Sequence, residues 1–319
     1  MKNEKTRIII DTDVGCDCDD TGAMAMVHRS CEKGLCELLA VTISTSNPSA
    51  AGCADAINRW YGRVVPVGQT NKVIPGDDAE LFKVCYGKHI AETYPNSYYG
   101  ENAQKPLDAV KLLRETLSRS DEKVTIVVIG SLVNMSDLLK SSADELSPLS
   151  GEELVRNKVK CFSLMCGHFE DCGDPEVWFG TERMLAECNV KIDIDSAKYF
   201  FAHCPTECVV SRFVVGWQMF TGNVLIENER KNPVAESYFV HSHGNRSSWD
   251  LTSAYYAIFG ADELFKVGKR GVVTVGDDGV TTFTENEKGS FRLLLCPSTE
   301  NAAKRIDEIL IGRDSIRHH

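Results

Sequence analysis

The sequence predicts a single α/β domain spanning residues 1–319, with a mainly parallel central β-sheet flanked by helices. Three observations predict it. Short apolar runs rich in Val and Ile recur between helix-like stretches. Most of these runs are apolar on both faces, as strands covered by helices on each side are. No internal repeat or low-complexity linker divides the chain. At 319 residues the chain is long for one domain, but ordinary for an α/β unit.

In chain order, strands are expected at 7–11, 38–44, 64–68, 124–130 and 159–165. Helices are expected between them at 19–32, 50–61, 107–119 and 136–140, and later at 181–187, 196–202, 249–259 and 301–310. Strand–helix alternation implies right-handed crossovers and a parallel sheet. The polar, turn-rich stretches 72–105 and 222–246 read as long loops, which in compact domains are often lids or binding loops. In open α/β sheets, ligands bind beyond the carboxyl ends of the strands, so chemistry is sought there.

Composition narrows the function. Hydrophobic residues make up 43% and charged residues 25%, the balance of a soluble globular protein. The formal net charge of -11 argues against a nucleic-acid partner and favours a small molecule or a cation. The apolar run Ile8-Ile9-Ile10 is too short for a signal peptide. No stretch reaches the roughly 18 apolar residues of a membrane span. A cytoplasmic protein with no membrane partner is expected. Thirteen cysteines, an odd number without an export signal, do not suggest a disulfide framework. Cys161 and Cys208 read as small apolar residues, and neither Cys16/Cys18 nor Cys204/Cys208 has the spacing of a zinc site. His318 and His319 are assigned no role.

The chemistry-bearing segment follows the first strand. Asp11, Asp13, Asp17, Asp19 and Asp20 fall within ten residues, directly before a helix. A helix N-terminus accommodates one or two carboxylates as cap or dipole partners. The others repel one another unless a cation sits among them, and carboxylates suit a hard cation such as Ca²⁺ or Mg²⁺. An EF-hand fails, because Gly15 stands one place early and the twelfth position is Gly22. A D-x-D phosphatase of the haloacid dehalogenase type, using Mg²⁺ and Asp11 as nucleophile, is an alternative. Gly276-Asp277-Asp278 and Ser131 echo that family's other motifs. A solvated acidic surface is the third reading.

The segment resembles the nucleoside hydrolase signature D-T-D-P-G-x-D-D-A, in a longer form: Asp11-Thr12-Asp13-Val14-Gly15, then Asp19-Asp20 and Gly22-Ala23. Val14 replaces Pro, and two extra residues precede the Asp pair, which leaves the role of Asp17 open. The resemblance continues in order. It takes in Ala40–Asn47, Asn58, Val64-Val65-Pro66-Val67-Gly68 and Ile129-Gly130-Ser131-Leu132-Val133-Asn134. It goes on through Leu164-Met165-Cys166-Gly167, Ala186-Glu187-Cys188-Asn189 and Ser248-Trp249-Asp250-Leu251. It is to the inosine-uridine preferring nucleoside hydrolase family, and implies a Rossmann-like core and hydrolysis of a ribonucleoside or related N-riboside to ribose and free base.

By this resemblance, Asp13, Asp20 and Asp250 hold Ca²⁺ through their side chains and Val133 through its carbonyl. Asp13 is also the general base on the attacking water. Asp19, Asn47, Glu187 and Asn189 hold the ribose hydroxyls, and Trp249 stacks on the base. The resemblance further implies a homodimer or homotetramer. Plainer roles stand beside these: a turn for Asn47, helix caps for Glu187 and Asp250, core packing for Trp249, and hydrogen-bond acceptance behind the site for Asp11. Some family members carry His where this chain has Trp249, and a Trp cannot act as an acid toward the leaving base. His168, His241, His243 and Arg246 are the nearby candidates for that work, and Thr181 lies where the family has a further Asn. A calcium-dependent ribose-binding protein without turnover therefore remains an alternative.

Overall fold

The computed structural model describes residues 5–74 and 85–313. His318, His319 and part of the 72–105 loop lie outside the described residues. In chain order the strands are β1 (Thr6–Thr12), β2 (Cys36–Ile43), β3 (Val67–Gln69), β4 (Leu107–Asp108), β5 (Val124–Val128), β6 (Val159–Met165) and β7 (Trp178–Phe179). They continue with β8 (Glu182–Arg183), β9 (Cys208–Ser211), β10 (Phe220–Thr221), β11 (Arg246–Ser247), β12 (Lys266–Val275), β13 (Thr281–Glu285) and β14 (Phe291–Leu295). Ten of them form one sheet in the order β13-β12-β14-β9-β6-β5-β1-β2-β3-β4. All neighbours from β14 to β4 are parallel, and β12 is antiparallel to both β13 and β14. The result is a single α/β domain with a mostly parallel sheet.

The chain runs outward from β1 in one direction through β2, β3 and β4, and in the other through β5, β6 and β9. The order therefore reverses between β1 and β5, where Asp11 pairs with Val128 and, on its other side, with Thr42. A crevice at the carboxyl edge of such a reversal is where open α/β sheets bind ligands. Burial on both faces explains the unbroken apolar run Ile8-Ile9-Ile10 in β1. Ile8 and Ile10 pack into one helical layer and Ile9 into the other, as the two-residue side-chain period of a strand requires.

Several expectations need correction. Residues 181–187 are not a helix: β7 and β8 form a hairpin there, turned by Gly180 at φ +64, and a short helix follows at Cys188–Lys191. The third strand begins at Val67 rather than residue 64, since Val64 is exposed and only Val67, Gly68 and Gln69 pair with β2. Sheet strands β4, β9, β12, β13 and β14 are additional to those expected, and β4 takes the first two residues of the helix expected at 107–119, which begins at Ala109. Gly276-Asp277-Asp278 forms the turn between β12 and β13, with Asp277 paired to Lys198. It is not an acidic loop of a phosphatase.

Candidate active site

The carboxylate loop leaves β1 at Thr12 and is shaped by two glycines. Gly15 has φ +134, a conformation that side chains with a Cβ rarely adopt. At Gly130, just beyond β5, a Cβ would lie 2.7 Å from the Asp13 nitrogen, so only glycine lets the two loops touch. The loop is then fixed by specific bonds. Thr12 Oγ1 donates to Asp20 Oδ1 and accepts from the Val14 N–H at 3.1 Å. Tyr86 Oη accepts from the Gly15 N–H at 2.8 Å and donates to the Asp17 carbonyl at 2.6 Å.

A cavity of about 430 Å³ opens above this loop. Its lining includes Asp13, Asp19, Asp20, Glu187, Asn189, Trp249 and Asp250, brought together from the loop after β1, the start of the helix Asp19–Glu32 and the starts of two later helices. A more open depression of about 590 Å³ around Trp60 and Arg230 holds none of these residues. Carboxylate oxygens of Asp19, Asp20 and Asp250 lie within 4.8 Å of one another, and all three residues are buried. Burial, then the neighbouring carboxylates, pushes the Asp20 and Asp250 carboxyls well above their ordinary range. Burial and Asp17 do the same to Asp19, although its Oδ2 accepts from the Asp250 N–H at 3.1 Å. Buried anions so close together are costly unless protonated or met by a cation. An all-oxygen cluster of this kind fits a hard divalent ion.

Asp11 stands apart. It is fully buried, and its Oδ2 accepts from Thr42 Oγ1 at 2.5 Å and Asn134 Nδ2 at 2.8 Å. Burial raises its pKa to about 7. It does not line the cavity, so it is not placed to attack a phosphoryl group.

Two expected site residues lie off the cavity wall. Asn47 is buried beneath Gly15, and its Oδ1 accepts from the Ser49 N–H at 3.0 Å and from Ser49 Oγ at 2.8 Å, which is a turn-forming role. Val133 is buried as the first residue of the helix Val133–Lys140. Of those on the wall, Glu187 caps the helix Cys188–Lys191, and its two oxygens accept from the Asn189 and Gly167 N–H groups, both at 2.9 Å. Asn189 donates through Nδ2 to the Met165 carbonyl at 3.1 Å and the Ile129 carbonyl at 3.3 Å. Asp250 is not a cap, since Ser248 holds that position. Thr181 is exposed on the β7–β8 turn, and neither His168 nor His243 lines the cavity.

The cavity has a second wall that sequence reasoning located only in part. Phe213 lies with its ring centroid 5.2 Å from that of Trp249, and Ile129, Met165 and Ile192 complete an apolar face. Beside it, Arg246 grips Asp17 and lies over the Trp249 ring at 5.1 Å. His241 Nε2 approaches Asp17 Oδ1 to 3.4 Å. Burial pushes Asp17 upward, but the Arg246 hydrogen bonds and charge outweigh it and hold the carboxyl below its ordinary value. The only sequence signal for Phe213 is its place just after β9, a strand too short to stand out.

A family model described as inosine-uridine preferring nucleoside hydrolase matches residues 8–290. No curated protein matches the chain in sequence. Among solved structures, an inosine-uridine preferring nucleoside hydrolase from Bacillus anthracis superposes with a TM-score of 0.71 at 16% identity, covering 96% of this chain and 99% of that one. A purine-preferring ribonucleoside hydrolase from Gardnerella vaginalis gives 0.69 at 16% identity, covering 97% and 99%. The type III effector protein XopQ, solved in complex with adenosine diphosphate ribose, gives 0.66 at 14% identity, covering 97% and 94%. At these identities the structural likeness speaks for the fold.

Proposed function

The chain belongs to the inosine-uridine preferring nucleoside hydrolase family, enzymes that hydrolyse N-glycosyl compounds, and on that premise we propose a calcium-dependent N-ribohydrolase acting on a ribonucleoside or related N-riboside. The observation that carries this reading is the buried trio Asp19, Asp20 and Asp250, which faces an aromatic wall across one cavity at the strand-order reversal.

In this reading Asp13, Asp20 and Asp250 hold the cation through carboxylates and Val133 through its carbonyl. Calcium is favoured over magnesium because it accepts a flexible shell of roughly six to eight oxygens. When bound, it supplies a grip on the sugar hydroxyls and acidifies a water beside the anomeric carbon. The Asp13 carboxylate takes the proton of the attacking water. Asp19, Glu187 and Asn189 orient the ribose, whose hydroxyls each donate and accept, while Asn47 shapes the turn beneath Gly15. The carboxylates also stabilise the positive charge that develops on the sugar as the bond breaks. Trp249, with Phe213 behind it, offers a flat surface to the base. The reading carries with it a cytoplasmic homodimer or homotetramer, which light scattering on the purified protein addresses.

The test is release of reducing sugar from a panel of purine and pyrimidine ribonucleosides, with Ca²⁺ and after chelation, beside an Asp13→Ala control. Release that needs calcium and disappears in the variant is the expected result. Ribose binding without release from any member would sink the reading and leave a binding role.

A further inference from the structure

When an N-glycosidic bond breaks, its electron pair moves to the base nitrogen. The protein must either protonate the departing base or stabilise its negative charge. Trp249 stands next to the carboxylate cluster but carries only an indole N–H, which is buried and without a partner among the described residues. His241 lines the cavity, but burial lowers its pKa despite Asp17, which disfavours the protonated form that an acid would need. Arg246, by contrast, is a permanent cation on the same wall.

Arg246 is also firmly held: the expected 222–246 loop instead carries helices Asn223–Asn228 and Pro233–Ser242, and Arg246 opens β11, paired with Thr221 of β10. Its Nε lies 3.0 and 3.2 Å from the two Asp17 oxygens, and Nη2 bonds the second of them. Asp17 lies between Gly15 and the Asp19-Asp20 pair, so the carboxylate loop itself supplies the clamp. Nη1 makes no bond among the described residues and stays available. The guanidinium carbon sits 5.1 Å from the Trp249 ring centroid, which keeps the charge beside the surface that a flat base would occupy.

Resting on the ribohydrolase reading, we propose that Arg246 is the catalytic group that receives the departing base, with Asp17 as its positioning residue. Water oxygen bonds to the anomeric carbon and loses its proton to Asp13. The C–N bond breaks, and its electron pair leaves with the base as an anion paired to Arg246. The base takes its proton from solvent on release. A fixed cation in place of an acid favours bases with ring carbonyls, which delocalise the anion, as leaving groups.

The experiment compares turnover of uridine and inosine with that of 4-nitrophenyl β-D-ribofuranoside, whose nitrophenolate departs without help. In Arg246→Gln the ratio of nucleoside to nitrophenyl turnover should fall about 100-fold, the usual scale for losing one charge-stabilising donor. Asp17→Asn should lower the same ratio by a smaller factor, whereas a merely structural defect would depress both substrates alike. A ratio unchanged in Arg246→Gln, whether both rates hold or both fall, overturns the proposal. Failure of the wild-type protein to release nitrophenolate overturns the ribohydrolase reading and this inference with it.

Discussion

Replacing Asp250 by Asn should make the metal-free protein more stable and remove its response to calcium. Asp250 sits in the first turn of the helix Trp249–Phe259, with a carboxylate oxygen within 4.8 Å of those of Asp19 and Asp20. At that separation and an effective dielectric constant of about 20, each pair of charges costs about 3.5 kcal/mol. Proton uptake relieves part of this, as the raised pKa values of all three carboxyls imply. Asn has the same shape, so deleting one charge should return about 2–4 kcal/mol. In a chain of this size that corresponds to a rise of about 3–6 °C in Tm. The assay is calorimetry at pH 8, in chelator and in millimolar Ca²⁺. Wild type should gain stability on adding calcium, and the variant should gain little. A variant that melts at or below wild type in chelator refutes the repulsion argument. Equal stabilisation of both proteins by calcium refutes Asp250 as a ligand.

Two further predictions concern groups remote from the cavity. Burial pushes the His28 imidazole down to about 4, while Nε2 bonds Asn58 Oδ1 at 2.9 Å and the ring stacks on Tyr61. Between that value and the ordinary 6.5 the unfolded chain binds a proton that the folded one declines. Stability therefore falls as pH drops through this window, by up to about 3 kcal/mol, and His28→Gln should remove that part of the slope in urea titrations at pH 4 to 7. Arg114 is fully buried, bonding Asp144, Ser141 Oγ and the carbonyls of Ser147 and Leu149. Arg114→Met strands those acceptors and should cost about 3 kcal/mol in urea unfolding. A loss under about 1 kcal/mol would mean that water replaces the guanidinium.

What the sequence disclosed and what it hid divide along physical lines. Local density made the carboxylate loop visible, because five Asp in ten residues demand an explanation wherever they occur. The helix that follows was legible to the residue, at Asp19–Glu32. Of the expected site residues, Asp13, Asp19, Asp20, Glu187, Asn189, Trp249 and Asp250 share one cavity, whereas Asn47 and Val133 do not reach its wall. Partnership across the chain was not legible. Asp17 meets Arg246 across 229 positions, and nothing in either segment names the other. Edge strands such as β13 were missed because their outward positions are polar or exposed, which blurs the apolar signal. The β7–β8 hairpin was mistaken for a helix because its turn rests on one glycine, Gly180.

The central position of β1 has a consequence for the nascent chain. On a ribosome β1 emerges first, but one of its flanking strands, β5, lies beyond residue 123. Until that stretch is made, one side of β1, with its buried Ile8, Ile9 and Ile10, has no native neighbour, and an unpaired strand edge invites aggregation. The acidic loop waits longer still. Asp250 is separated from Asp19 by 231 positions, so the cluster stays incomplete until most of the chain has been synthesised. Cation capture would then act late in folding, as a lock on a nearly finished sheet rather than a seed for it.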